Sequence, residues 1–216
     1  MCADAIPDLK RELLAKIKDG GKGLSIYPYI DRLSRLQGGP MKEFFVGGWR
    51  LLYTDDDPTR ASPFFWSFKK AFNKYADQVF GITDRIPVAL KKIGQVNQFV
   101  SPTGSLVSQV LINSPIGSSL MTTTSRWLWE DGQDVEVRVE KTEVLESTVQ
   151  KLLGLPSPTP FPSGAALELA SPGSSTVDMQ MLFLDEELRV SRNPVDDKIF
   201  VFERLSSEVG PRGMEW

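Results

Sequence analysis

Four charged side chains in the C-terminal third are the residues best suited to acid–base chemistry. Asp185, Glu186 and Glu187 are consecutive, and Arg189 follows two positions later. Paired carboxylates act as general acid and base when their surroundings separate their pKa values. Here short apolar runs flank the group, so its spacing fits a turn between two strands, where acidic side chains are usually solvated. We interpret Asp185 and Arg189 as a structural turn and ion pair, and we predict no catalytic residue.

The composition argues against most other catalytic and metal-binding chemistry. The 216 residues include no histidine, so the usual general base, the imidazole of nucleophilic triads and the commonest metal ligand are missing. The single cysteine, Cys2, cannot form an intramolecular disulfide or a cysteine-rich zinc site. We therefore predict a non-enzymatic protein with no metal and no cofactor. A net charge of −3, with scattered lysines and arginines, also argues against nucleic acid as a partner.

Residues 1–40 are predicted to form a helical segment that packs on the rest of a single domain. Leu9, Leu13 and Ile17 lie on one side of a helix over residues 6–18. A second helix is predicted over residues 28–37, before Gly38. No apolar run approaches the roughly 20 residues of a membrane-spanning helix.

Residues 41–216 show the period of two that is typical of strands, and they are predicted to form the barrel domain. Trp49, Leu51 and Tyr53 would share one face of the first strand, and Asp131-Gly132 indicates a tight hairpin turn. Further strands are predicted over residues 93–100, 105–112, 120–129, 135–140, 165–170, 176–184, 188–192 and 198–205. With few helical crossovers, this pattern predicts a mainly β fold built on an antiparallel barrel. Residues 143–153 fit either a strand or a short helix, and the four prolines of residues 154–164 favour an extended loop.

A helical insertion is predicted after the first strand. Ser62-Pro63 fits a helix N-terminus, and a second helical stretch is expected over residues 76–85. The first helix presents an aromatic surface of Phe64, Phe65, Trp66, Phe68 and Phe72. We interpret this helix as packing across one barrel end. The alternative is a lid or a contact with a lipid surface, where Lys69, Lys70 and Lys74 would add weak attraction.

Two motifs near the ends of the chain resemble those of the plastid-lipid-associated proteins, also called fibrillins. They are Gly47-Gly48-Trp49-Arg50-Leu51-Leu52-Tyr53-Thr54 and Leu184-Asp185-Glu186-Glu187-Leu188-Arg189. The resemblance implies a lipocalin-like barrel with a structural signature of Gly47, Trp49, Asp185, Arg189 and Arg204. In such barrels a tryptophan near the closed end is often covered by an arginine from a late strand, and Arg204 is the matching candidate for Trp49.

The resemblance also implies a function and a location. It predicts binding or organisation of prenyl quinones, carotenoids or tocopherols at thylakoids or plastoglobules of the plastid. The alternative is a structural coat or a scaffold that recruits a prenyl-lipid biosynthetic enzyme, and a lipid-modifying lipocalin-type enzyme is a weaker third reading. Residues 1–18 contain Asp4, Asp8 and Glu12, unlike an acid-poor transit peptide. We expect a processed plastid form or a cyanobacterial relative without a transit peptide.

A lipid of this kind would occupy an apolar barrel interior. Met179 and Met181 can adapt to an irregular tail, and Trp127 and Trp129 can stack on a ring or polyene. Gln95, Gln98 or Gln109 would orient a polar head group, or else lie on the surface. The predicted lining is Val96, Leu106, Val110, Ile112, Trp127, Trp129, Val137, Met179, Met181 and Phe183.

Overall fold

A computed structural model describes residues 5–38, 42–72, 92–114, 117–145, 147–148, 151 and 159–214. This part of the chain is mainly β, with nine strands and four α-helices. The helices are α1 (Ala5–Lys18), α2 (Tyr27–Leu36), α3 (Pro63–Phe72) and α4 (Ser163–Ala170). The strands are β1 (Gly47–Thr54), β2 (Lys92–Val100), β3 (Ser105–Ser114), β4 (Gly117–Leu128), β5 (Asp134–Leu145), β6 (Thr159–Phe161), β7 (Thr176–Leu184), β8 (Leu188–Asn193) and β9 (Lys198–Arg204).

Eight of the strands form a closed antiparallel barrel. Their order around the ring is β4-β3-β2-β1-β9-β8-β7-β5, and pairing of β4 with β5 closes it. The three-residue β6 lies outside the ring and pairs with residues 142–144 of β5. Closure pairs both sides of each barrel strand and so removes exposed sheet edges. The predicted antiparallel, lipocalin-like barrel with N-terminal helices and a helical insertion after β1 is confirmed.

Alternation of apolar and polar residues explains how the strands face. On β5, Val135, Val137 and Val139 are buried, whereas Glu136 and Arg138 are exposed. The valines face the barrel interior and the charged residues face water, as expected for a strand with one solvated side. Asp131-Gly132 makes the predicted turn before β5, where Gly132 has a φ of 72°.

The barrel has two hydrophobic cores, one inside it and one on its outer surface. The outer core forms where α1 and α2 pack against one side of the barrel. Leu13 and Leu33 are fully buried there against Val190 and Val201 of β8 and β9. Strands β8 and β9 are therefore buried on both faces. None of the described helices has the length and apolar character needed to cross a membrane.

Irregularities in strand pairing place two residues on the opposite side of the barrel wall from the one predicted. Pairing of β1 with β9 shifts between Leu51 and Tyr53, and pairing of β7 with β8 shifts between Met181 and Phe183. An extra residue in a strand reverses the facing of everything beyond it. Tyr53 and Phe183 consequently lie in the outer core. The predictions that Tyr53 shares a face with Trp49, and that Phe183 lines the interior, are wrong.

The predicted strand over residues 165–170 is also wrong, because this segment is the helix α4. Its Ala-Ala-Leu-Glu-Leu run consists of strong helix formers, and Leu167 is its buried contact. Gly164 allows close approach to β5, since a Cβ there would lie 2.1 Å from the Val139 carbonyl oxygen. The predicted helix over residues 76–85 lies outside the described residues, as do residues 154–158 of the predicted proline-rich loop. In the described remainder of that segment, Thr159–Phe161 forms β6 and α4 begins at Ser163, so the prediction of an extended loop is wrong there. The ambiguous segment from residue 143 is a strand as far as Leu145.

Candidate functional site

Aromatic side chains close the barrel end at which β1 begins, which we call the base. The Phe45 ring meets the Trp127 and Trp129 rings edge to face, with centroids 5.2 and 5.6 Å apart. The Trp49 Nε1 donates a hydrogen bond to the Phe45 carbonyl oxygen (2.9 Å), and the Trp127 Nε1 donates to the Ser101 carbonyl oxygen (3.1 Å). Trp127 and Trp129 therefore belong to the floor of the interior, with their ring nitrogens already bonded to the protein.

Arg204 covers Trp49 from the outer side of the base, as the resemblance implies. Its guanidinium carbon lies 3.9 Å from the centre of the Trp49 ring. Its nitrogens donate to the carbonyl oxygens of Glu186 (3.0 Å), Val46 (2.6 Å) and Phe44. Every guanidinium nitrogen thus has a backbone partner, and Arg204 ties the last strand to the chain before β1.

Gly47 makes room for this arginine. Its φ is +127°, and a Cβ at this position would lie 2.4 Å from Nη1 of Arg204. A larger residue would displace the guanidinium from the base. This contact gives a physical reason for a glycine two residues before Trp49.

Arg189 lies inside the barrel, near the same tryptophan. Its side chain is completely buried, and its guanidinium carbon is 3.9 Å from the Phe202 ring centre and 5.2 Å from that of Trp49. Nη2 donates to the side-chain oxygen of Gln98, which is also buried inside. Nε and Nη1 have no hydrogen-bond acceptor among the described residues. The interior therefore contains a cation with two unused donor nitrogens.

The predicted ion pair between Asp185 and Arg189 is wrong, although Asp185 does shape a turn. Its Oδ1 accepts hydrogen bonds from the backbone N–H groups of Glu187 and Leu188, both at 2.8 Å. Its Oδ2 pairs with Lys10 of α1 at 2.7 Å. Burial opposes the charge on Lys10, but the hydrogen bonds to Asp185 and Glu187 outweigh it and raise the Lys10 pKa. Because β8 starts at Leu188 with that residue facing α1 and α2, alternation turns Arg189 inward.

The position of Arg189 is electrostatically unfavourable. Loss of solvent, and then repulsion from Arg204, hold its pKa well below the ordinary value of an arginine. Burying an unpaired ion costs several kcal/mol. Cation–π contacts offset part of this cost, at about 2 kcal/mol or more when desolvated. No carboxylate pairs with Arg189 within the described part of the chain.

A polar stripe continues along β8 from Arg189. Ser191 and Asn193, the next inward residues, are fully buried. The Ser191 hydroxyl and the Asn193 Nδ2 lack partners within the ranges that the structure covers. On the other side of the interior, Gln98 pairs in register with Ser108 of β3, whose buried hydroxyl is likewise without a described partner.

Apart from the buried Thr123 and Ser125 of β4, the remaining interior surface is apolar, and it includes nine of the ten predicted lining residues. Seven are buried members of the interior core, and Ile112 and Trp127 pack against it while partly buried. The exception is Phe183, which lies in the outer core. The seven buried members are Val96, Leu106, Val110, Trp129, Val137, Met179 and Met181.

Helix α3 packs across the opposite end of the barrel, which we call the mouth. Trp66 is buried in the interior core, with its ring centre 5.1 Å from that of Phe200. Phe64, Phe68 and Phe72 are partly buried and stack along the helix, with successive centroids 6.1 and 4.6 Å apart. Trp66 therefore packs into the interior, as predicted for a helix across one barrel end, while the phenylalanines contact one another along α3 and stay partly exposed.

The three glutamines that were predicted to orient a head group lie in different places. Gln98 faces the interior and bonds Arg189, whereas Gln109 faces outward and bonds the backbone of Arg212 through both ends of its amide. Gln95 lines an outer groove of about 450 Å³ beside the end of α1. Only Gln98 can meet a group inside the barrel.

Sequence reasoning missed Arg189 as an interior residue. Leu188 and Val190 are apolar, so simple alternation assigns them to the interior and Arg189 to the surface. The helices α1 and α2 reverse this assignment by burying the outer face of β8. The one signal in the sequence was the predicted helical segment over residues 1–40. It was predicted to pack on the barrel, but the strands that it would cover were not predicted.

Comparison with known proteins does not identify a family for this chain. No family model matches the chain, and no curated protein matches it in sequence. The resemblance to fibrillins is therefore carried by the motifs themselves.

Proposed function

We propose that this protein binds a hydrophobic isoprenoid lipid inside its barrel and acts as a non-enzymatic carrier or organiser of plastid lipids. The observation that carries the proposal is the continuous apolar core inside a closed eight-stranded ring. A ring of eight strands is wide enough to be filled by side chains or to hold one small ligand. The motif resemblance to fibrillins supplies the class of lipid and the plastid setting.

The interior has residues that can rearrange around such a ligand. Met179 and Met181 are buried next to Val137 and Val177 in the same core. Methionine is unbranched and polarisable, so it can adapt its shape to an isoprenoid tail. Trp66 on α3 lies at the mouth, where movement of the helix would open a path to the interior.

Contact with a thylakoid or plastoglobule surface is a further part of the proposal. In this proposal the mouth contacts the membrane surface, because the phenylalanines of α3 lie at the mouth. Its two described lysines already have partners: Lys69 pairs with Asp196 at 3.2 Å, and Lys70 donates to the Thr176 carbonyl oxygen. Electrostatic attraction to anionic head groups would therefore be weak, and the contact would depend on apolar side chains.

A second function is favoured by the tightness of the interior. Trp49, Val137, Met181 and Phe202 have no accessible surface at all. A barrel filled in this way would suit a structural coat protein, or a scaffold that recruits a prenyl-lipid biosynthetic enzyme. In that case the outer surface of the barrel would do the binding.

Incubation with total thylakoid lipid, followed by solvent extraction and mass spectrometry, tests the proposal. Two matched variants on β7 locate the site: Met181→Trp fills the interior, and Phe183→Trp alters the outer core. We expect one prenyl lipid to be enriched close to one per chain, lost in Met181→Trp and retained in Phe183→Trp. Absence of enrichment in the folded wild-type protein would overturn the carrier and favour the coat or scaffold.

A further inference from the structure

The geometry points to an acidic lipid, a long-chain carboxylate, as the class of ligand whose head group pairs with Arg189 inside the barrel. The inference rests on the proposed function, because it requires that a lipid occupies the interior. It goes further by naming an acidic head group and the residue that selects it, and in this it departs from the neutral prenyl lipids that the resemblance to fibrillins implies. A neutral quinone, carotenoid or tocopherol would leave the guanidinium without an anion.

The first step is the unused hydrogen-bonding capacity of Arg189. The side chain is completely buried, and only Nη2 has a partner, the Gln98 oxygen. Nε and Nη1 lack acceptors among the described residues. Each of these nitrogens flanks Nη2, which carries two hydrogens, and Gln98 accepts only one of them. The edge of the guanidinium that Gln98 leaves open, formed by Nη2 with either Nε or Nη1, can donate two parallel hydrogen bonds to a carboxylate, and this planar pairing is the strongest that arginine makes with an anion.

The second step is the difference between the two arginines beside Trp49. Arg204 is only partly buried, yet all its nitrogens donate to backbone carbonyl oxygens. Arg189 is fully buried but has a single acceptor. Both contact the Trp49 ring, so packing against the tryptophan does not require the donors of Arg189 to stay free. An anionic ligand would provide the missing charge together with an acceptor for one of the two free nitrogens.

The third step is the neighbourhood into which a carboxylate would fit. Ser191 is the next inward residue on β8, and its buried hydroxyl also has no partner in the described chain. The register neighbours of Arg189 and Ser191 on β7 are Leu184 and Met181, both members of the interior core. The head group would displace these apolar side chains near the base. Its tail would then run past Met179 toward the mouth.

The test compares palmitate with palmityl alcohol and methyl palmitate, which share the chain but lack the charge. We expect the wild-type protein to bind palmitate about ten- to a hundredfold more tightly than either neutral analogue, as for a charge-assisted hydrogen-bonded pair. In Arg189→Met the ratio of the affinities should fall to about one. Arg192→Met, an outward-facing control on the same strand, should keep the wild-type ratio.

A second measurement needs no variant and so does not depend on the folding of Arg189→Met. In palmitate labelled with carbon-13 at its carboxyl group, the NMR titration of the bound ligand should show a pKa below that of free palmitate, because the guanidinium favours the ionised form. Equal affinity for the acid and its neutral analogues, or an unshifted carboxyl titration, would overturn the inference and leave neutral-lipid binding intact. If none of the three probes binds and thylakoid lipid gives no enrichment, the proposed function itself fails.

Discussion

Arg189 and Arg204 contact one tryptophan but should contribute differently to stability. Arg204→Met removes three hydrogen bonds to backbone carbonyls and a cation–π contact, so we expect a loss of about 3 kcal/mol in the free energy of unfolding. Arg189→Met removes a buried charge without an anionic partner, and such replacements are often neutral or stabilising. Urea unfolding of both variants measures the difference. An equal loss in the two variants would show that Arg189 has a mainly structural role.

Tyr53 should make stability depend on alkaline pH. Burial, and then the hydrogen bond from its hydroxyl to Asp55, raise its pKa from 10.0 to about 12. Between these values the unfolded chain releases a proton that the folded chain retains. Stability from this group is therefore fully present below pH 10 and is lost as the pH rises toward 12. The free energy of unfolding of Tyr53→Phe should fall less steeply over this interval, and parallel pH profiles would contradict the account.

Among the elements, α4 depends on a single glycine for its position. Gly164→Ala would place a Cβ 2.1 Å from a backbone oxygen of β5, so the helix must move away. We expect a loss of about 1–3 kcal/mol, typical of overpacking. Gly38→Ala is the matched control, because nothing lies within 4 Å of the added Cβ. Thermal or urea unfolding of the pair would test this, and equal stability would contradict the packing of α4 on β5.

The sequence predicts where the helices and strands lie better than it predicts which side of the barrel wall each strand residue faces. The period of 3.6 marks α1 and α2, and the period of two marks most barrel strands, because one face of each is buried. The predicted side is wrong for Tyr53 and Phe183, because one extra residue in a strand does not change the hydrophobic pattern of the sequence. The strand predicted in place of α4 fails because a short Ala/Leu segment carries little periodicity, and its contact with β5 decides its structure.

At the scale of the whole molecule, the interior was predictable where its lining is apolar. Val96, Leu106, Val110 and Val137 face inward as alternation predicts. Arg189 could not be assigned in this way, because β8 is buried on both faces once α1 and α2 cover the barrel. Which face of a doubly buried strand points inward is decided by long-range packing. The candidate head-group site at Arg189 therefore depends on how α1 and α2 pack on the barrel, and the sequence of β8 alone does not predict it.

The central claim is that a lipid occupies the barrel interior, and methionine methyl groups report on it most directly. Met121, Met179 and Met181 belong to or pack against the interior core, whereas Met214 lies in the C-terminal tail. With methyl-labelled methionine and the lipid recovered from thylakoid extract, isotope-filtered NMR detects protons of the ligand close to each methyl group. We predict contacts from the lipid chain to Met179 and Met181, and none to Met214. Contacts confined to Met214, or none to any interior methionine at saturating lipid, would contradict the account.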